Sequence, residues 1–145
     1  MNIDLMLAEL ENKDTSQAFK NLLELELLSS SSNILYPYIS TFIKMAGSEK
    51  YVIKIRGFRL FCKQAKWDTE NIINRNLENT LNILKDEKPT VVRQALSALK
   101  DIVVYKKELQ PIIKEKALSV NYLKYKDTMH SLISKDIQNL IELMD

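Results

Sequence analysis

The chain has 145 residues, 46% hydrophobic and 28% charged, with 21 basic against 19 acidic side chains and a net charge of +2. That is one domain's worth of chain, long enough to bury roughly 70% of its unfolded surface without covalent staples. The near balance of charge argues against a bulk nucleic-acid binder, and a single cysteine excludes an intrachain disulfide and a thiolate metal site.

Two glycines and three prolines leave few turns, and eight helices are predicted in four antiparallel pairs. The first covers Asn2 to about Glu11, and Asp14 with Gln17 has the spacing of a capping box for the second, about Thr15 to Leu28. Ser29 to Ser32 followed by Asn33 reads as the clearest loop. The third helix covers about Ile34 to Met45, with Pro37 in its first turn and Gly47 at its end. The fourth runs from about Glu49 to Lys66, and Asp68 or Thr69 caps the fifth, about Glu70 to Leu84. Asp86 and Pro89 open the sixth, which reaches about Tyr105, and Pro111 lies in the first turn of the seventh, about Leu109 to Val120. Residues 121 to 126 are ambiguous, and Asp127 caps a last helix that reaches about Met144.

Apolar spacing says how these helices pack. In the last one, Met129, Leu132, Ile133, Ile137, Leu140, Ile141 and Met144 share one face. Helix six is apolar over well over half its circumference, as a helix sandwiched between neighbours must be. No run approaches the ~20 apolar residues of a membrane span. Asp4, Glu9 and Glu11 interrupt the apolar pattern of the N-terminus, so no secretory leader is expected. The expectation is a cytoplasmic protein without membrane contact, and the lone Cys62 suits a reducing compartment.

A segment occurs twice, 38 residues apart. Glu49-Lys50 opens one copy and Glu87-Lys88 the other, and Ile53, Gly57, Phe58, Leu60, Phe61 and Ala65 match Val91, Ala95, Leu96, Ala98, Leu99 and Val103. Ala18-Phe19-Lys20-Asn21-Leu22 continues the match weakly upstream. A period of this length built from paired helices marks an α-solenoid; a non-repetitive helical bundle is the alternative. The stretch Asp86 to Leu99, with an acidic turn, a Val92-Arg93 step and Ala95, Leu96, Ala98 and Leu99 behind it, resembles a HEAT repeat. The other copy departs from that pattern, with Lys54 and Ile55 in place of the Val-Arg step and Gly57 in place of the alanine. The resemblance implies an all-α, right-handed superhelix of about four HEAT-like helix pairs in a single domain, 1–145, with the clearest repeats at about 33–66 and 69–105. It also implies an interaction platform, which in this family mostly serves protein partners and in a minority nucleic acid.

Arg56, Arg59, Lys63 and Lys66 are spaced 3, 4 and 3 apart and line one face of helix four. Four cations so placed repel one another, and would suit phosphates or an acidic peptide. The other reading is a face neutralised by acids of a neighbouring helix, such as Glu70 or Glu78. Trp67 and Arg93 are outer candidates for the same surface. A second basic region holds Lys106, Lys107, Lys114, Lys116, Lys124 and Lys126 with Tyr105, Tyr122 and Tyr125 between them, either a binding surface or a soluble connection. Trp67-Asp68 and Tyr36-Pro37-Tyr38 read as partner contacts or as packing at helix junctions. The lone His130 makes no metal site with a distant Cys62, no Ser-His-Asp arrangement is evident, and the isolated glycines form no phosphate loop.

The sequence therefore points to a non-catalytic scaffold, monomeric or weakly dimeric, that binds a protein partner without a cofactor or metal. A nucleic-acid module using the helix-four stripe is the alternative. On the scaffold reading, reversing Arg56, Arg59 and Lys63 to Glu should abolish partner capture and leave the melting temperature unchanged.

Overall fold

Capping chemistry sets where the first helices begin. Asn2 accepts the Leu5 N–H at the start of α1 (Ile3–Asn12), and Thr15 accepts the Ala18 N–H at the start of α2 (Ser16–Ser31). Thr15, not Asp14, is thus the cap; Gln17 bonds Asn21, and Asp14 turns toward Arg56. The serine run is helix rather than loop. Ser30 and Ser31 donate back to the carbonyls of Glu26 and Leu28, and Ser29 is buried, so α2 continues to Ser31.

The computed structural model describes residues 2–145. The remaining helices among them are α3 (Ile39–Ala46), α4 (Tyr51–Lys63), α5 (Ile72–Thr80), α6 (Pro89–Tyr105), α7 (Gln110–Leu118) and α8 (Asp127–Glu142). Short 3₁₀ turns at Tyr36–Tyr38, Gln64–Trp67, Leu81–Lys85, Lys107–Leu109 and Tyr122–Lys124 take up helix ends that the apolar pattern alone would have extended. No β-strand occurs among the described residues, and no helix there is long and apolar enough to cross a membrane. Asp127 occupies the first turn of α8 and makes no capping bond; Lys126 holds the cap position.

Contacts between elements give two layers. The even-numbered helices touch in succession, α2 against α4, α4 against α6 and α6 against α8. Of the odd-numbered helices, α1 packs on α2, α3 on α4 and α7 on α8, and the 3₁₀ turn after α5 packs on α6. α6 buries Val91, Val92, Ala95, Leu96, Leu99, Ile102 and Val103, as its broad apolar surface demands. In α8 the stripe buries Ile133, Ile137 and Leu140, half-buries Met129, Ile141 and Met144, and leaves Leu132 exposed. The tightest crossing is α3 on α4. A Cβ added at Gly57 would stand 2.4 Å from the Met45 Cβ, 2.7 Å from the Ala46 nitrogen and 2.8 Å from the Phe42 oxygen. The glycine is therefore required by the crossing, whatever it costs in helix propensity.

Of the six pairs matched at the 38-residue spacing, four share burial, while a half-buried Ile53 answers a buried Val91 and a buried Leu60 answers a half-buried Ala98. Phe58 and Leu96 are fully buried, as are Phe61 and Leu99, and Gly57, Ala95, Ala65 and Val103 are buried too. Apart from Asn21 to Glu9 at 12 residues, long-range side-chain hydrogen bonds span separations from 32 residues (Tyr36 to Asp68) to 46 (Arg56 to Leu10), close to one such period. Trp67 donates to Ser29 at 38 residues, and Lys124 and Tyr125 donate to Lys85 and Asp86 at 39.

Candidate functional site

The basic face of α4 is built into the molecule rather than presented by it. Arg56 is 4% exposed and donates to the carbonyls of Leu10 (3.0 Å) and Lys13 and to Asp14 (3.3 Å). It closes the end of α1, whose last carbonyls lack intrahelical partners. Burial lowers its guanidinium pKa, and Asp14 opposes the shift. Arg59 forks onto Glu26 of α2 through Nε (2.9 Å) and Nη2 (2.7 Å), and its Nη1 donates to Gln94 of α6 at 2.9 Å. Lys63 pairs with Asp101 at 3.3 Å; burial pushes the Asp101 carboxyl up and Lys63 pulls it back. Lys66 donates to the Ser30 carbonyl at 2.7 Å and lies over the Trp67 ring, whose indole N–H donates to the Ser29 carbonyl at 2.7 Å. Arg93 pairs with Asp136 of α8 at 2.7 Å.

The face is thus neutralised by neighbouring acids, but these are Asp14, Glu26 and Asp101, not Glu70 or Glu78. The acids sit beside α4 only once the helices stack. Nothing in the spacing of the cations alone reveals them.

These pairs form the floor of a surface groove. Arg59, Glu26, Lys63 and Asp101 line an open hollow of about 500 Å³, together with Leu23, Leu27 and Ser97. A second hollow of about 400 Å³ shares Gln94 and Ser97 with it and adds Arg93, Lys100 and Asp136. The groove therefore crosses α2, α4, α6 and α8. Along its α2 side, Phe19, Leu23 and Leu27 recur every fourth residue and are 52%, 44% and 74% exposed. Phe19 is the counterpart of Phe58 and Leu96, which are wholly buried. The apolar residues of α2 can all be read from the sequence; their exposure needs the neighbours.

The Trp67-Asp68 and Tyr36 motifs meet in one buried joint. Asp68 accepts from the Tyr36 hydroxyl (2.6 Å) and from the N–H groups of Ile72 (3.0 Å) and Ile73 (2.9 Å), and pairs with Lys106 at 3.1 Å. Lys106 also donates to Asn71 and Asn74, both at 2.8 Å, and Asn71 adopts a left-handed φ of 56°. Burial raises the Asp68 carboxyl, but Tyr36, the two N–H groups and Lys106 outweigh it and hold the group below its usual range. The Tyr36 hydroxyl is pushed up to about 12, first by burial and then by Asp68. Tyr38 bonds Asp4 at 3.2 Å. The second basic region is likewise divided: Lys106 is buried in this joint, Lys107 pairs with Asp145 at 2.7 Å, and Tyr125 donates to the Asp86 carbonyl. His130 Nε2 meets the Tyr125 carbonyl at 2.9 Å, and Cys62 is fully buried, its thiol pushed up by burial. Among the described residues no group of three or more His, Cys, Asp or Glu is placed to hold a metal ion.

No protein-family model, no curated protein and no solved structure compared with the chain matches it.

Proposed function

We propose that the chain is a HEAT-like α-solenoid, a right-handed superhelix of about four helix pairs, that acts as a non-catalytic platform for a protein partner. Three observations support the solenoid: most positions matched at the 38-residue spacing share burial, the even-numbered helices touch in succession, and most long-range side-chain hydrogen bonds reach about one repeat. That is the contact pattern of a quasi-one-dimensional array. The observation that carries the partner is the apolar edge of the groove. Phe19, Leu23 and Leu27 stand exposed beside a floor of paired charges and amides, an apolar anchor next to polar groups that give register. The anchors on this reading are the α2 side chains, with Arg59, Lys63 and Arg93 as the polar floor; Arg56 holds α1, and Lys66 and Trp67 hold the end of α2.

The nucleic-acid alternative draws less support. Counterion release needs cations free to meet phosphates, and Arg56, Arg59, Lys63, Arg93, Lys106 and Lys107 each already sit against a carboxylate.

A photo-crosslinking residue at Ser97 in the groove, compared with one at exposed Lys114, tests the platform in cells. A discrete protein adduct at position 97 alone, lost with Leu23→Lys and Leu27→Lys at unchanged melting temperature, is the expected result. Equal adducts at both positions, or adducts indifferent to the lysines, would remove the groove from the reading.

A further inference from the structure

Three lysines line one hollow away from the partner groove. Lys85 ends the 3₁₀ turn after α5, Lys116 lies in the last turn of α7, and Lys124 ends the turn before α8. They line one pocket of about 330 Å³ with Asn121, over apolar Leu81, Leu84 and Val120. The lining contains no carboxylate. In the groove, by contrast, Arg59, Lys63 and Arg93 each sit with Glu26, Asp101 or Asp136.

A lysine at a helix end is ordinary, because the carbonyl end of a helix favours a cation. Three from separate elements around one hollow are not accounted for that way, since like charges brought together repel unless an anion lies between them. Lys124 is also held in place. Its ammonium donates to the Lys85 carbonyl at 3.1 Å and lies 5.2 Å from the centre of the Tyr125 ring. The Ser119 hydroxyl spends its proton on the Glu115 carbonyl at 2.8 Å, so donors for an anion come from the lysines and the Asn121 amide. The carbonyls at the end of α7 are occupied too: the Ser119 N–H bonds Glu115 and Lys116, and the Val120 N–H bonds Ala117.

We propose that this pocket binds a phosphomonoester, its dianionic head against Lys85, Lys116 and Lys124 and its apolar body on Leu81, Leu84 and Val120. Multiple charge-assisted hydrogen bonds hold the head, and the floor selects an organic ester over free phosphate. The site stands independently of the groove and of any partner bound there.

Titration of the intact protein with phenyl phosphate and with inorganic phosphate, followed by amide NMR shifts, tests it. Saturable shifts in residues 81–85 and 116–124 are expected, with phenyl phosphate tighter by about tenfold through burial of its ring. Lys116→Gln should weaken binding by about tenfold or more through loss of a charged donor, while Lys114→Gln, on the same helix and outside the pocket, leaves it unchanged. Both variants should melt with the wild type. Absence of saturation, equal losses in the two variants, or inorganic phosphate binding as tightly as the ester would each overturn the proposal.

Discussion

Arg56 ties the middle of α4 to the end of α1 with one side chain. Its guanidinium satisfies two carbonyls that have no helical partner, those of Leu10 and Lys13, and it is almost wholly buried. Removing it strands those acceptors, which costs about 1–3 kcal/mol. Arg56→Met should therefore lower stability by that order in a denaturant titration. Reversing Arg56, Arg59 and Lys63 together should lower the melting temperature steeply, contrary to the expectation drawn from spacing alone, because the three cations bridge from α4 to α1, α2 and α6 in turn. Apolar residues are legible at this scale: Phe58, Phe61, Leu96 and Leu99 match between the two copies of the repeated segment and all four are wholly buried. Gly57 is legible as a small residue standing where the other copy has Ala95. Arg56 is not, since an arginine on a helical stripe looks the same whether solvent or another chain segment lies opposite.

Among the elements, the joint made by Tyr36, Asp68 and Lys106 gives the molecule a defined response to pH. The folded Asp68 carboxyl titrates below its unfolded value of about 3.9, so its contribution is present above that pH and lost as the pH falls through the folded value. Tyr36 is displaced the other way, to about 12 from 10.0. Its contribution is intact below the unfolded value and lost as the pH climbs through the folded one. Melting temperatures measured from neutral to acid should fall less steeply in Asp68→Asn than in the wild type. Ultraviolet titration of the tyrosines in the same variant should show one hydroxyl returning toward its ordinary range. The sequence offers Asp68 or Thr69 as the cap of α5; Asn71 holds the cap position without a side-chain bond, and it is Asp68 that accepts from the Ile72 and Ile73 N–H groups. Its links to Tyr36 and Lys106 join residues 32 and 38 positions away, and only the stacking of elements brings them together. Helix boundaries were legible where proline marked them, as at α6, and were missed where serine hydroxyls bonded back into the helix, as at the end of α2.

For the whole molecule, stability should be graded along the stack. α4 and α6 are covered by neighbours on both sides, whereas α1 and α8 are flanked on one. Hydrogen exchange should then be slowest in α4 and α6 and progressively faster toward α1 and α8; equal protection in all eight would indicate one cooperative bundle instead. The all-helical class and the sandwiched position of α6 were legible from periodicity, because burial on two sides leaves a broad apolar surface. The exposed edge of α2 was not, because Phe19, Leu23 and Leu27 have the same spacing as core residues. The pairing of Lys63 with Asp101 carries a last consequence. These residues are 38 positions apart and occupy corresponding places on α4 and α6. On the proposed solenoid, the two units are complementary rather than interchangeable. Copying the unit that carries Asp101 in tandem would set that carboxylate against its own duplicate, so lengthening by simple duplication meets a charge mismatch at its first added joint, and the order of the units is written into the joints between them.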